Sequence, residues 1–261
     1  MKSFHESVQA LLHMFESKTF PEQVAWSIIR RDQQEADIPS DAWSACNRLI
    51  MRVHGHTDDA RTFLQWKSAG RHVIKGAKAF YIFAPVMKKE IDKSTGKENM
   101  ELRGFKPLAV FAIEDTAGED VAKPCYIPKK LPPLLNVAKT LGFSVKWEPM
   151  GSRPALGSYR PASKSITLHS KDATVFYHEL AHAVHDTIEP LSSVDNDYAE
   201  ITAELTAAVL CVMTGEKGFE KQSWQYLKRF SGCGDDKTAL KAISSVLNMV
   251  EKIITIIIKA V

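Results

Sequence analysis

The segment Val175-Phe176-Tyr177-His178-Glu179-Leu180-Ala181-His182-Ala183-Val184-His185 sets an HExxH pattern inside an apolar helical run. At 3.6 residues per turn His178 and His182 stack on one face, and both can reach one Zn2+ at about 2.0–2.1 Å. Glu179 then lies beside the ion, placed to take the proton of a water attacking a peptide carbonyl and to pass it to the leaving nitrogen. Five-residue patterns also arise by chance, and a pair of surface histidines is the bland alternative. The flanks Leu180, Ala181 and Ala183 favour the metal, because two unpartnered imidazoles on a buried helix would be costly.

Tetrahedral zinc needs a third protein ligand. No histidine follows His185, so the options are His185 itself or an acid. His185 is seven residues from His178, about 10.5 Å along a helix, and reads as a rim residue. The helical pattern Tyr198-Ala199-Glu200-Ile201-Thr202-Ala203-Glu204-Leu205 places Glu200 and Glu204 one turn apart on a polar stripe. Glu200 there completes a His178/His182/Glu200 set; the competing role is a capping box with Asp197. Glu204 is expected behind the ligands, orienting a histidine through its other ring nitrogen, and the choice between Glu200 and Glu204 as third ligand stays open.

The chain has 261 residues, 44% hydrophobic and 25% charged, a balance that excludes a disordered or collagen-like chain. The length fits two domains of ordinary size. The most apolar stretch, Ile253 to Ile258, is bounded by Lys252 and Lys259 and falls far short of the ~20 residues that span a bilayer. The first residues, Met1-Lys2-Ser3-Phe4-His5-Glu6, lack an apolar signal core, so the expected location is the cytoplasm, with no membrane partner. Cysteines 46, 125, 211 and 233 show no CxxC spacing, which disfavours a zinc ribbon.

Charge is unevenly spread. Residues 48–89 carry nine basic side chains (Arg48, Arg52, Arg61, Lys67, Arg71, Lys75, Lys78, Lys88, Lys89) against Asp58 and Asp59, 9 − 2 = +7. Residues 171–210 carry Lys171 against eight acids, 1 − 8 = −7. A polyanion suits the first block and a cation the second, whereas two solvated faces would look the same in sequence. Single-strand binders pair a cationic groove with aromatic faces. In the basic block Arg52, Arg61, Arg71, Lys75 and Lys78 are expected at phosphates, Asn47 and Gln65 supply hydrogen bonds, and Trp66 or Tyr81 offers a stacking face. Trp43 and Phe63 read as core.

The pattern of elements is α+β. Short helices fill the first third: one with Val8, Leu11, Leu12 and Phe15, one over 24–29, one starting at Pro39-Ser40-Asp41, and one over 60–67 capped at Thr57-Asp58-Asp59. Strands follow at 71–74, 79–84 and 107–113, with a hairpin tip at 92–97. The stretch Thr116 to Asp120 and the prolines after it read as an interdomain connection. The rest is mainly helical with a small sheet, in which Ser165-Ile166-Thr167-Leu168 is either a candidate edge strand for pairing with a substrate backbone or simply a core strand.

Three segments together resemble the ArdC-like antirestriction family: Asp59-Ala60-Arg61-Thr62-Phe63-Leu64-Gln65-Trp66 with Gly70-Arg71-His72-Val73-Ile74-Lys75-Gly76, then His178-Glu179-Leu180-Ala181-His182, then Glu200 through Ala208. Similarity extends over 110–116, 158–161 and the helices around Trp224 and Leu227. The resemblance implies a single-stranded-DNA-binding domain over residues 1–125 and a zincin-like, HExxH zinc metallopeptidase-like domain over 133–261. It further implies carriage by a plasmid or other mobile element, a zinc or other divalent cofactor, and a protein substrate. Two other readings remain: a non-enzymatic module that shields single-stranded DNA around a structural or vestigial metal site, and a cytoplasmic zinc peptidase with no DNA role.

Overall fold

The computed structural model describes residues 4–14, 20–32, 38–91, 98–122, 134–148, 155–216 and 236–261. Apolar spacing builds the first helices as expected. Val8, Leu11 and Leu12 are buried on α1 (Phe4–Met14), while Phe15 lies outside the described residues. Helix α2 (Phe20–Asp32) carries Pro21 in its first turn, where the missing N–H is one that would be unpaired anyway. The helix expected from Pro39 is divided: Pro39–Ala42 forms a 3-10 turn, and Ser44 caps α3 (Ala45–Val53) by accepting the Asn47 N–H at 3.4 Å.

The helix expected over 60–67 is shorter still. Ala60 and Arg61 form strand β1 (Ala60–Arg61), and Thr62 caps the six-residue α4 (Phe63–Ser68). Thr62 Oγ1 accepts the Gln65 N–H at 3.3 Å while Gln65 Oε1 accepts the Thr62 N–H at 2.9 Å, a reciprocal box that starts the helix. Next come β2 (Arg71–Val73), β3 (Phe80–Ile91) and β4 (Glu98–Ala112). Strands β3 and β4 pair as a long antiparallel hairpin, and β1 adds to β4 through Ala60↔Ala112 and Arg61↔Phe111. The hairpin tip expected at 92–97 lies outside the described residues.

The supposed connection after Thr116 opens instead with a strand, β5 (Thr116–Gly118), antiparallel to β2. Gly118 is required there: its φ is +136°, and a Cβ would sit 2.4 Å from the Gly70 carbonyl oxygen.

The second half begins with α5 (Leu135–Thr140) and a three-stranded sheet of β6 (Ser144–Trp147), β7 (Gly157–Arg160) and β8 (Ser165–Leu168), ordered β6-β8-β7. Strand β8 is parallel to β6, antiparallel to β7, and buried at all four residues. The edge role expected for Ser165–Leu168 is therefore overturned, because neighbours occupy both of its sides; the edge beside the HExxH helix is β7. Helices α6 (Ala173–Ile188), α7 (Asn196–Thr214) and α8 (Asp236–Lys259) complete the α+β fold. No helix among the described residues is long and apolar enough to cross a membrane.

One apolar cluster runs through both halves, uniting Val8, Leu49 and Ile50 with Leu205, Val246, Val250 and Ile253. A buried ion pair follows the same path. Arg48 Nη2 donates to Glu251 Oε1 at 2.5 Å, and the guanidinium also donates to Ser27 Oγ at 3.2 Å and to the Trp43 carbonyl. Cys46 and Cys211 are free and buried, and burial pushes both thiols up to about 12; Cys125 and Cys233 lie outside the described residues.

Removing one partner of a buried pair leaves an uncompensated charge, at a cost of about 3–5 kcal/mol. Glu251→Ala is expected to lower stability by that amount in urea denaturation. The double variant Arg48→Met/Glu251→Leu should recover most of the loss.

Candidate metal centre and nucleic-acid surface

Asp172 starts α6 by accepting the Thr174 N–H at 2.9 Å, and the helix runs unbroken through the HExxH residues. His178 and His182, one turn apart, bring their Nε2 atoms to 3.1 Å. From α7, Glu200 sets Oε2 at 3.5 Å from His178 Nε2 and Oε1 at 3.5 Å from His182 Nε2. Ligand atoms bonded to one tetrahedral ion at ~2.0–2.1 Å stand about 3.3–3.4 Å apart, so the three donors have the spacing of a face of that tetrahedron. Among the described residues these three form the group of ligating side chains whose atoms lie within 4.8 Å of one another.

Helix α7 is capped by Asp195, which accepts the Tyr198 N–H at 3.2 Å. A box between Asp197 and Glu200 is thereby excluded, leaving the Glu200 carboxylate for the imidazoles. Hydrogen bonds from His178 and His182 hold that carboxylate well below the usual range. Burial works against charge on His178, but the Glu200 hydrogen bond and the nearby Glu179, Glu200 and Glu204 charges prevail and raise its pKa. Glu204 is raised by burial and makes no hydrogen bond to either ring among the described residues; the orienting contact expected of it is not present, and it acts on His178 through charge. The Nδ1 of His182 is buried with no hydrogen-bond partner.

Glu179 is buried, against strand β7. Desolvation raises its pKa, while the Tyr159 backbone N–H and the two imidazoles work in the opposite direction. Gly157 makes room for it, since a Cβ there would lie 2.9 Å from Glu179 Oε1 and 2.8 Å from Val175. Strand β7 is also pinned to α6 by Tyr159 Oη, which donates to Asp186 Oδ2 at 3.1 Å. His185, expected at the rim, is only 1% exposed, with its ring edge-on to Tyr198 at 5.7 Å. Burial lowers its pKa, and packing between α6 and α7 removes it from solvent.

The residues expected at nucleic acid separate into two groups. Trp66 is 0% exposed, and its indole N–H donates to the Phe111 carbonyl at 2.9 Å; a ring so enclosed has no face for a base. Asn47 is buried and bonds both the N–H and the carbonyl of Phe83 at 2.9 Å. Arg61 is buried against Asp59 at 2.9 Å and lies over Trp66. Arg71 donates to Thr116 and to the Glu119 carbonyl, and Arg52 is held by Gln23 and Asp58 above Trp26. Gln65 is occupied in the α4 cap. Lys75 and Lys78 are exposed and Tyr81 is half-buried. Phe63, expected in the core, is 55% exposed.

No family model and no curated protein sequence matches the chain. Solved structures do. The Mn(II)-bound crystal structure of the antirestriction protein ArdC from plasmid R388 matches with a TM-score of 0.59 at 16% identity, covering 100% of this chain and 98% of that one. The metal-free structure of the same protein matches with a TM-score of 0.54 at 18% identity over 83% of each chain. The chain is ArdC-like in its fold.

The charges at the site set opposite pH trends. His178 has a folded pKa above its ordinary 6.5, so in metal-free protein its stabilising contribution is complete below that value and is lost as pH rises through the raised one. Glu200 contributes above the ordinary carboxylate value of 4.5 and loses its effect only on strong acidification. A divalent ion needs neutral imidazoles. Between about pH 6 and 8, the Tm of chelator-treated protein is therefore expected to fall at this site, whereas the Tm gain on adding Mn2+ or Zn2+ should grow. A gain independent of pH would show that the ion binds elsewhere.

Proposed function

We propose that this ArdC-like chain is a single-stranded-DNA-binding antirestriction protein of a plasmid or other mobile element, acting in the cytoplasm, with a metal-dependent peptidase-like centre. The carrying observation is the convergence of His178, His182 and Glu200, with Glu179 buried beside them, in a chain whose fold matches ArdC over its full length. That ArdC binds Mn(II) in one structure supports a divalent ion here; two imidazoles and a carboxylate suit zinc as well. On this reading residues 133–261 hold the metal chemistry and residues 1–125 meet the DNA.

The roles follow from the geometry. His178, His182 and Glu200 hold the ion, and Glu204 adds negative charge behind it. When bound, the ion would polarise a substrate carbonyl and acidify a water. Glu179 moves the proton: its carboxylate, raised by burial and steadied by the Tyr159 N–H, accepts it from the attacking water and delivers it to the amine that departs. Gly157 keeps the space in which that carboxylate turns.

His178→Ala and His182→Ala should abolish stoichiometric Mn2+ or Zn2+ binding in titration calorimetry. Glu179→Gln should retain the ion and lose about 10²–10⁴-fold in cleavage of a protein bound to single-stranded DNA. Establishment of an incoming plasmid in a restricting host should fall with the same variants. Protection by Glu179→Gln equal to the wild type would leave shielding of the strand, rather than peptide hydrolysis, as the means of antirestriction.

A further inference from the structure

Helix α4 is too short to bury two faces, and Trp66 decides which one turns inward. Its indole is pinned to the Phe111 carbonyl and flanked by the guanidinium groups of Arg61 at 4.8 Å and Arg71 at 6.0 Å. With Trp66 inside, Phe63 and Leu64 are left outside, 55% and 72% exposed. The Thr62–Gln65 cap fixes this turn of helix, so the Phe63 ring stands on a stiff base.

The turn after β2 is tied to the segment after β4: Ile74 N–H donates to the Asp115 carbonyl at 2.9 Å, and Ile113 N–H donates to the Asp59 carbonyl at 2.9 Å, just before β1. Ile74, Lys75 and Lys78 are exposed. Residues 63–78 contain four basic side chains, Lys67, Arg71, Lys75 and Lys78, and no acidic one. Arg71 is spent on Thr116 and Glu119, whereas the three lysines face solvent. An exposed aromatic ring and exposed cations on one short segment are the combination that stacks a base and holds its phosphates. Asp115, whose carbonyl accepts the Ile74 N–H, and Glu119, packed against Gly70, are acidic neighbours of this surface, so the charge that favours a nucleic acid is that of the exposed lysines.

We infer that Phe63 is a base-stacking platform for single-stranded DNA, with Lys75 and Lys78 as its phosphate contacts. The inference rests on the proposed DNA role and locates it on residues other than the expected Trp66.

The test is anisotropy of a labelled oligothymidine with the full chain across a salt series. Phe63→Ala should weaken binding about tenfold, as loss of one stacked base does, with an unchanged salt slope; Phe63→Tyr should restore it. Lys75→Ala/Lys78→Ala should instead flatten log K against log[salt] by about 1.4, near 0.7 per lost contact. Trp147→Ala, which removes a comparably exposed ring from β6 (54% exposed), should do neither. Crosslinking of a bromouracil oligonucleotide to Phe63, read by mass spectrometry, gives a direct second readout. Wild-type binding that Phe63→Ala leaves intact would overturn the platform while the DNA role stands. No binding by the wild type would sink both.

Discussion

Two helices must approach closely enough for a carboxylate on one to touch both imidazoles on the other. Both helices are rich in small buried side chains: α6 buries Ala181 and Ala183, and α7 buries Ala199, Ala203 and Ala207 at four-residue intervals. Glu200, one residue after the first of these, reaches each histidine at 3.5 Å. Three carboxylates, Glu179, Glu200 and Glu204, then surround two imidazoles. Charge of that sign in a partly buried place favours a cation, and the Glu200 hydrogen bond with the nearby carboxylate charges raises the His178 pKa against the effect of burial. The pinned strand β7 and the cleared space at Gly157 are arranged around this contact.

The convergence of His178, His182 and Glu200 was legible because its information is local. In a sixteen-residue helix, four-residue spacing determines which side chains share a face, and the apolar flanks identify the helix as buried. Glu200 was legible for the same reason, as an acid interrupting an apolar run on the next helix. His185 was misread because spacing along a helix says nothing about what covers it; the covering ring, Tyr198, comes from α7. The ring contact expected of Glu204 could not be read in advance, since a hydrogen bond depends on reach across the helix pair rather than on register.

The basic segment was harder. Six residues of α4 are fewer than two turns, so periodicity cannot set the helix phase, and the choice between Phe63 and Trp66 is made by β4, forty-five residues away, through the Phe111 carbonyl. Strand β5 carries Thr116, Ala117 and Gly118, none with a β-forming alternation, and its glycine reads as a turn until Gly70 is known to lie against it. Strand β7 opens with Gly157 and Ser158 and was hidden likewise. The edge assignment for β8 failed because both neighbours were needed to see that it is central.

Charge counting failed in a more instructive way. Four of the nine basic residues in 48–89 are arginines, and all four are committed to protein: Arg48 to Glu251, Arg61 to Asp59, Arg52 to Asp58 and Gln23, Arg71 to Thr116 and Glu119. The five lysines, Lys67, Lys75, Lys78, Lys88 and Lys89, are exposed. The division follows from the side chains themselves, since a planar guanidinium with five donors satisfies several buried acceptors at once, whereas an ammonium is strongly hydrated and stays in water. In this block arginine is architecture and lysine is surface. A polyanion approaching the +7 block would meet the lysines, and the arginines would serve it indirectly, by holding Trp66 inward so that Phe63 faces out.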